Sequence, residues 1–277
     1  MKKSLAIWHY HHRTQYQNIE FFADKGFEAV SMLGRDFVKI VSDANSGIEL
    51  AETLKKKSVI LSVHFCLPNT HSEEDVMCFK NGIDSIKKWQ EQYGLISVLS
   101  FDVPQAVRDN ITQYVDYAIS EVKNTKIALE DFGLNLNEYN QISHLKSNKN
   151  FGALVDIGHM NIRICGNNTQ GVTLFTNSPD ECNRNENPTY EDYLKAIEHV
   201  KFPIFEIHLH NNDGINDMHY FLKDGTMDIK AVLKAIKDVE FDGILTIESA
   251  PNFKFRCTDD EADFGIMEDF RYLSENL

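Results

Sequence analysis

The chain has 277 residues, and 28 Lys and Arg against 42 Asp and Glu give a formal net charge of −14. Hydrophobic residues make up 42% and charged residues 25%, the balance of a globular protein, which excludes a disordered or fibrous chain. The acidic excess repels phosphate on average, so nucleic acid is not the expected partner and a small-molecule enzyme is the simpler reading.

No apolar run reaches the about 18 residues that a membrane span needs. The opening Met1–Trp8 stretch meets His9, Tyr10, His11, His12 and Arg13 too soon to form a signal-peptide core. The cysteines Cys66, Cys78, Cys165, Cys182 and Cys257 are odd in number and never form a CxxC, which points to reduced thiols and a cytoplasmic protein.

Taken in order, short runs rich in β-branched and apolar residues alternate with helical segments. Leu5–Trp8 and Glu28–Met32 open the series, and Lys55-Lys56-Lys57 reads as a solvated helix end before the run Ser58–His64. Val76, Phe79, Ile83 and Ile86 then recur at helical spacing ahead of Leu95–Phe101. Ile111, Val115, Ala118 and Val122 do the same before Lys126–Glu130, and Phe151–Ile157 follows.

The stretch Arg163 to Pro188 is polar and rich in Asn, the composition of a binding loop or a surface insertion. Thr189 is placed to cap a helix carrying Tyr190, Tyr193, Leu194 and Ile197 ahead of Pro203–Leu209. Asp228 is placed likewise for Ile229, Val232, Leu233 and Ile236 ahead of Gly243–Glu248. Phe264, Met267, Phe270 and Leu273 give the terminal Asp259–Leu277 an apolar face to lay on the barrel or on a second copy in a homo-oligomer.

Eight strand–helix alternations predict an α/β fold, a (β/α)8 TIM barrel in one domain over residues 1–277. An open doubly wound sheet usually has fewer strands and often a glycine-rich phosphate loop, and neither GxGxxG nor a P-loop occurs here.

In such a barrel the site lies at the carboxyl ends of the strands. Those ends carry His9, His64, Glu130, Asp156 with His159, His208 and His210 with Asp217 and His219, and Glu248. Carboxylates and imidazoles converging on one rim suit a divalent cation, Mn2+, Mg2+, Co2+ or Zn2+, which would also neutralise the mutual repulsion of the acids. Glu248 ends an apolar strand, where an unpartnered charge is costly. Glu130 alone reads equally as a solvated strand end, and Asp156 as a cap on the next turn. His208 and His210 are expected on opposite faces, so that only one looks inward. His9, His11 and His12 read as a wet loop.

Three stretches resemble the xylose-isomerase-like TIM-barrel superfamily, which includes sugar isomerases and epimerases and type IV apurinic endonucleases. Phe151–His159 is similar to its strand ending in DxGH, Ile207–Gly214 followed by Asp217-Met218-His219 to its HLHDNDG and DxH segments, and Asp242–Glu248 to its closing DGxLxxE strand. The resemblance implies one divalent metal held by Glu130, Asp156, His208 and Glu248, and so favours His208 as the strand-seven ligand. It also implies Glu130 and Glu248 as an acid/base pair, with His64, His159, His210, Asp217 and His219 toward the substrate. The implied activity is isomerisation or epimerisation of a keto sugar or polyol by proton transfer through a metal-stabilised enediolate.

The rival within the resemblance is a metal-dependent phosphodiesterase like the endonucleases. Most ligand positions of that branch have counterparts, but Asp102 stands where it has a histidine at the end of the fourth strand. The net charge also counts against a duplex substrate. The epimerase branch often has an arginine after the strand-seven histidine. Asn211, Asn212 and Asp213 occupy that stretch here, which favours an uncharged carbohydrate over a phosphorylated one.

Overall fold

The structure, a computed structural model, describes residues 1–130, 140–166, 187–250 and 257–277. Eight parallel strands close into a barrel in sequence order: β1 Lys2–Ala6, β2 Ala29–Leu33, β3 Ile60–Cys66, β4 Ile96–Asp102, β5 Lys126–Glu130, β6 Phe151–Asp156, β7 Ile204–Leu209 and β8 Ile244–Ile247. All eight runs expected from the sequence are strands. The first is shifted, because Ile7–His9 turns into a short 3-10 helix that carries Trp8 and His9 over the rim. Trp8 is buried there and stacks on His64, with ring centroids 5.9 Å apart.

The strands read as near-continuous apolar runs because both faces are covered. Their outer faces pack beneath helices α1 Gln15–Asp24, α2 Gly34–Val41, α3 Ala44–Lys57, α4 Glu73–Tyr93, α5 Ile111–Glu121, α6 Ile157–Ile164, α7 Tyr190–Glu198, α8 Ile229–Asp238 and α9 Asp259–Asn276. Among these described helices none is long and apolar enough to cross a membrane.

Side-chain caps start several of them. Thr14 and Gln17 form a capping box on α1, Ser72 accepts from Asp75 N–H on α4, and Asp228 accepts from Lys230 and Ala231 N–H on α8. At α7 the reach is reversed, since Asp192 accepts from the Thr189 N–H and hydroxyl. Lys55, Lys56 and Lys57 do close the last turn of α3. The expected loop from Arg163 to Pro188 falls mostly on residues 167–186, outside the described residues, as does Cys182.

The inner faces are graded along the barrel axis. Ala29, Val98, Ala128, Leu154 and Ile244, from five different strands, form a separate apolar plug at the lower end. Above it lie the buried hydroxyls of Ser4, Ser31, Ser62, Ser100 and Thr246, with the fully buried Glu206 of β7. Strand pairing sets Ser31 beside Ser62 and Ser4 beside Thr246, and Glu206 accepts hydrogen bonds from both Ser62 and Thr246. The carboxylates and imidazoles of the upper rim come next. In β3, β4 and β8 the two-residue period therefore carries an apolar, a hydroxyl and an ionisable side chain in turn into the interior, Ile60, Ser62 and His64 being one such series.

Helix α9 buries Ala262, Ile266 and Leu273, and Phe270 packs on Phe27 with centroids 4.3 Å apart. Phe264 is instead 63% exposed, against the sequence expectation, because the buried stripe of the helix runs through Ala262, Ile266, Asp269 and Leu273.

Candidate metal centre

Every residue expected at the rim is there, but the four expected ligands do not form one mutual group. Asp156, His208 and Glu248 each offer a donor atom within 4.8 Å of the others. Glu130 groups instead with Asp156 and His159, and again with His64 and Asp102. Asp156 thus joins two neighbouring sets. His159, His210, Asp217 and His219, expected toward the substrate, make a further set of their own, and His9 joins His219 and Glu248.

The expectation that His208 and His210 face opposite ways is corrected. Residues two apart on a strand share a face, and both rings are buried in the mouth, His210 stacked on His219 with centroids 3.9 Å apart. His208 serves the Asp156–Glu248 set, its Nδ1 3.0 Å from Glu248 Oε2. His210 Nε2 lies 3.2 Å from Asp156 Oδ1 and 3.6 Å from Asp217 Oδ1.

Local structure holds these groups in place. Asp156 ends β6 and accepts the His159 N–H at 2.8 Å, so it caps α6 while facing the mouth, and the two readings of this residue hold together. His159 Nδ1 lies 3.0 Å from Glu130 Oε1 and its Nε2 3.5 Å from Asp217 Oδ1, linking two sets. His64 Nε2 lies 3.2 Å from Asp102 Oδ1 and 3.4 Å from Glu130 Oε2, while Nδ1 meets Ser100 Oγ at 3.0 Å.

His219 has φ +49°, an uncommon conformation for a side chain of this size. It donates Nδ1–H to the Glu248 carbonyl at 2.9 Å, which turns Nε2 toward Asp217 at 3.0 Å. The Asn211 and Asp213 side chains tie down their own loop, and Asn212 ties it to α6. Asn211 donates to the Leu222 carbonyl, Asn212 to the Gly158 carbonyl, and Asp213 accepts from the Ile215 and Asn216 N–H groups.

Electrostatics mark the mouth as a charge-coupled cluster. Burial and then the charge of Asp102 push the Glu130 carboxyl well up, whereas Asp102, opposed by burial but facing His64, is held well down. Burial also opposes ionisation of Asp156, Asp217 and Glu248. Facing imidazoles outweigh it in each, and His208 with His219 brings Glu248 down to about 2. Burial would lower His159, His208 and His219, but the surrounding carboxylates raise all three. His9 moves the other way, driven down to about 3 by burial, so its imidazole is neutral.

The donor set fits a divalent cation. Among the described residues, buried side-chain atoms without a hydrogen-bond partner include both nitrogens of His208, Nε2 of His9 and of His210, Oδ1 of Asp217 and Oε2 of Glu248. Buried polar atoms are normally satisfied, and these orphans all converge on one rim. Asp156, His208 and Glu248 would hold an ion in the mixed oxygen and nitrogen set that Mn2+, Co2+ or Zn2+ accept. Sequence reasoning placed His9 in a wet loop, met Asp102 only as the acid standing in place of a fourth-strand histidine, and passed over Glu206. A charged residue two positions before His208 in a strand buried on both faces was the signal for Glu206.

Comparison with known proteins agrees with this architecture. An uncharacterised protein of Methanocaldococcus jannaschii is 22% identical over 163 residues, 53% of this chain and 47% of the relative, so the match spans about half the length of that curated protein. Three solved structures share the fold over nearly the whole chain. The IOLI protein with a binding zinc atom has TM-score 0.68 and 16% identity, covering 100% of this chain and 99% of that one. D-Psicose 3-epimerase with D-tagatose from Clostridium cellulolyticum H10 has TM-score 0.66 and 10% identity, covering 100% and 99%. An AP endonuclease of family 2 from Brucella melitensis has TM-score 0.62 and 13% identity, covering 91% and 93%. The family described as xylose isomerase-like TIM barrel matches residues 19–275. With the closed barrel and these structures beside it, that match means that the chain belongs to the xylose isomerase-like TIM barrel family.

Proposed function

We propose that the protein is a metal-dependent isomerase or epimerase of an uncharged keto sugar or polyol. The observation that carries this reading is the convergence of the Glu130, Asp156 and Glu248 carboxylates with His208 on one buried rim, where both His208 nitrogens and Glu248 Oε2 have no hydrogen-bond partner among the described residues. A divalent ion, when bound, supplies a Lewis acid for the oxygens of the substrate. Glu130 and Glu248 rise from β5 and β8, three strands apart in the closed ring, and so approach the reacting carbon from different sides. Glu130, whose proton is held by burial and by Asp102, is the acid, and the ionised Glu248 is the base.

His159 and His64 hold Glu130 in place through contacts of 3.0 and 3.4 Å. Trp8 closes the wall behind His64 and His208. The side chains of Asn211 and Asp213 are committed to their own loop and that of Asn212 to the Gly158 carbonyl of α6, which supports a substrate without a phosphate at that position.

The test separates ligand from acid. Glu130 lies outside the Asp156–His208–Glu248 set, so Glu130→Gln should lower kcat on keto sugars by about 10²-fold or more while bound metal is retained. Glu248→Gln should lose both turnover and metal. Full turnover in both variants overturns the acid/base assignment.

A second reading, a multi-ion phosphodiesterase, is favoured by one observation: the His64–Asp102–Glu130 and His159–His210–Asp217–His219 sets flank the first. Elemental analysis distinguishes them, with about one ion per chain supporting the isomerase and about three supporting the phosphodiesterase.

A further inference from the structure

We propose that Glu206 is the positioning residue of His208, taking the Nε2–H of that imidazole and leaving Nδ1 as the nitrogen that faces a cation. The inference rests on the metal reading above. Glu206 has no part in the acid/base chemistry. It lies in the middle of β7, one layer below the rim and fully buried, where a carboxylate without compensation is strongly destabilising.

Its oxygens are held from two other strands. Ser62 Oγ of β3 donates to Oε2 at 2.5 Å, and Thr246 Oγ1 of β8 donates to Oε1 at 2.8 Å. So anchored, Glu206 Oε1 stands 3.4 Å from His208 Nε2, while His208 Nδ1 is 3.0 Å from Glu248 Oε2. At 3.4 Å the contact is an ion pair short of a formed hydrogen bond, and among the described residues neither ring nitrogen has a hydrogen-bond partner.

An ionised carboxylate can only accept, so the contact is attractive only when Nε2 carries hydrogen. The opposite nitrogen then points to the rim, where Asp156 and Glu248 complete a ligand set. A carboxylate behind a ligand histidine fixes both its tautomer and its ring orientation. Ser62 and Thr246 extend that support, tying the ligand on β7 to the adjacent β8 and, across the barrel interior, to β3.

The experiment measures Zn2+ affinity of the full chain by chelator competition, with thermal melts of the metal-free protein alongside. Glu206→Gln keeps an acceptor without the charge, and Glu206→Leu removes both. Zn2+ affinity should fall about tenfold in the first and about 100-fold in the second. A purely structural role would lower the melting temperature and leave affinity unchanged, and that result overturns the proposal. A second readout needs no variant: nitrogen-15 NMR of the zinc-loaded wild-type chain should show His208 with Nε2–H and Nδ1 on the ion. Coordination through Nε2 overturns it as well. Failure of the wild-type chain to bind Zn2+ overturns the metal reading itself, and the role of Glu206 falls with it.

Discussion

Gly158 shows how little room the mouth leaves. A Cβ at this position would lie 2.0 Å from the His210 ring, so the glycine of the Asp156-Ile157-Gly158-His159 turn is required by packing against a histidine 52 residues away. Gly158→Ala should push His210 off Asp156 and reduce both Zn2+ affinity and turnover, with the far-ultraviolet circular dichroism unchanged. Wild-type affinity in this variant would show that His210 has no share in the site.

Asp269 makes a different residue-scale prediction. Burial raises its carboxyl to about 8, even though Leu222 N–H and Ser249 Oγ donate to it at 3.0 and 3.1 Å. The folded chain then keeps a proton that the unfolded chain releases near pH 4. The stability contributed by this proton is full below about pH 4 and declines as pH rises toward about 8, by at most about 1.4 kcal/mol per unit. Asp269→Asn should flatten that slope in urea unfolding between about pH 5 and about pH 8. Parallel slopes in the two proteins would refute it.

At the scale of elements, strands deliver chemistry and caps orient it. The strands that end in an ionisable group are mostly apolar before it, broken by buried hydroxyls and, in β7, by Glu206, so the barrel wall and the site are written in the same short runs. Asp156 joins the two roles, ending β6, starting α6 and facing His210. Asp228 caps α8, receiving two N–H groups at its start, and is in none of the rim groups. Asp228→Ala should therefore cost about 1 kcal/mol of stability in urea unfolding and leave Zn2+ affinity untouched. Loss of affinity would mean that α8 and its loop position the site more directly than these contacts indicate.

At the scale of the whole molecule, Asp102, Glu130, Asp156, Asp217 and Glu248 meet several imidazoles in one mouth, and the consequence is proton-linked metal binding. Without an ion, the carboxylates hold His159, His208 and His219 protonated above the ordinary histidine range, and Glu130 keeps its proton through burial and the Asp102 charge. A cation must displace such protons from the groups it binds, so affinity should rise with pH and binding should release protons. Calorimetry in buffers of different ionisation enthalpy checks this, and a binding heat independent of buffer would contradict it.

The eight strands, the order of elements and the ionisable tips were legible in the chain because a strand buried on both faces needs a continuous apolar run, and a charge ending such a run stands out. The DxGH turn and the closing DGILTIE strand stood out through their resemblance to the xylose-isomerase-like superfamily. Which tips share an ion was not legible. That depends on barrel stagger and on contacts such as His159 with Glu130, between residues 29 positions apart, or His64 with Asp102, 38 apart. The common face of Glu206, His208 and His210 follows from their two-residue spacing, but only the closed barrel decided that the two histidines enter separate sets and that His9 swings over the rim beside Glu248. Local sequence sets which residue types can reach the interior, whereas the distances that make them ligands, partners or acids arise only when distant strands close on one another.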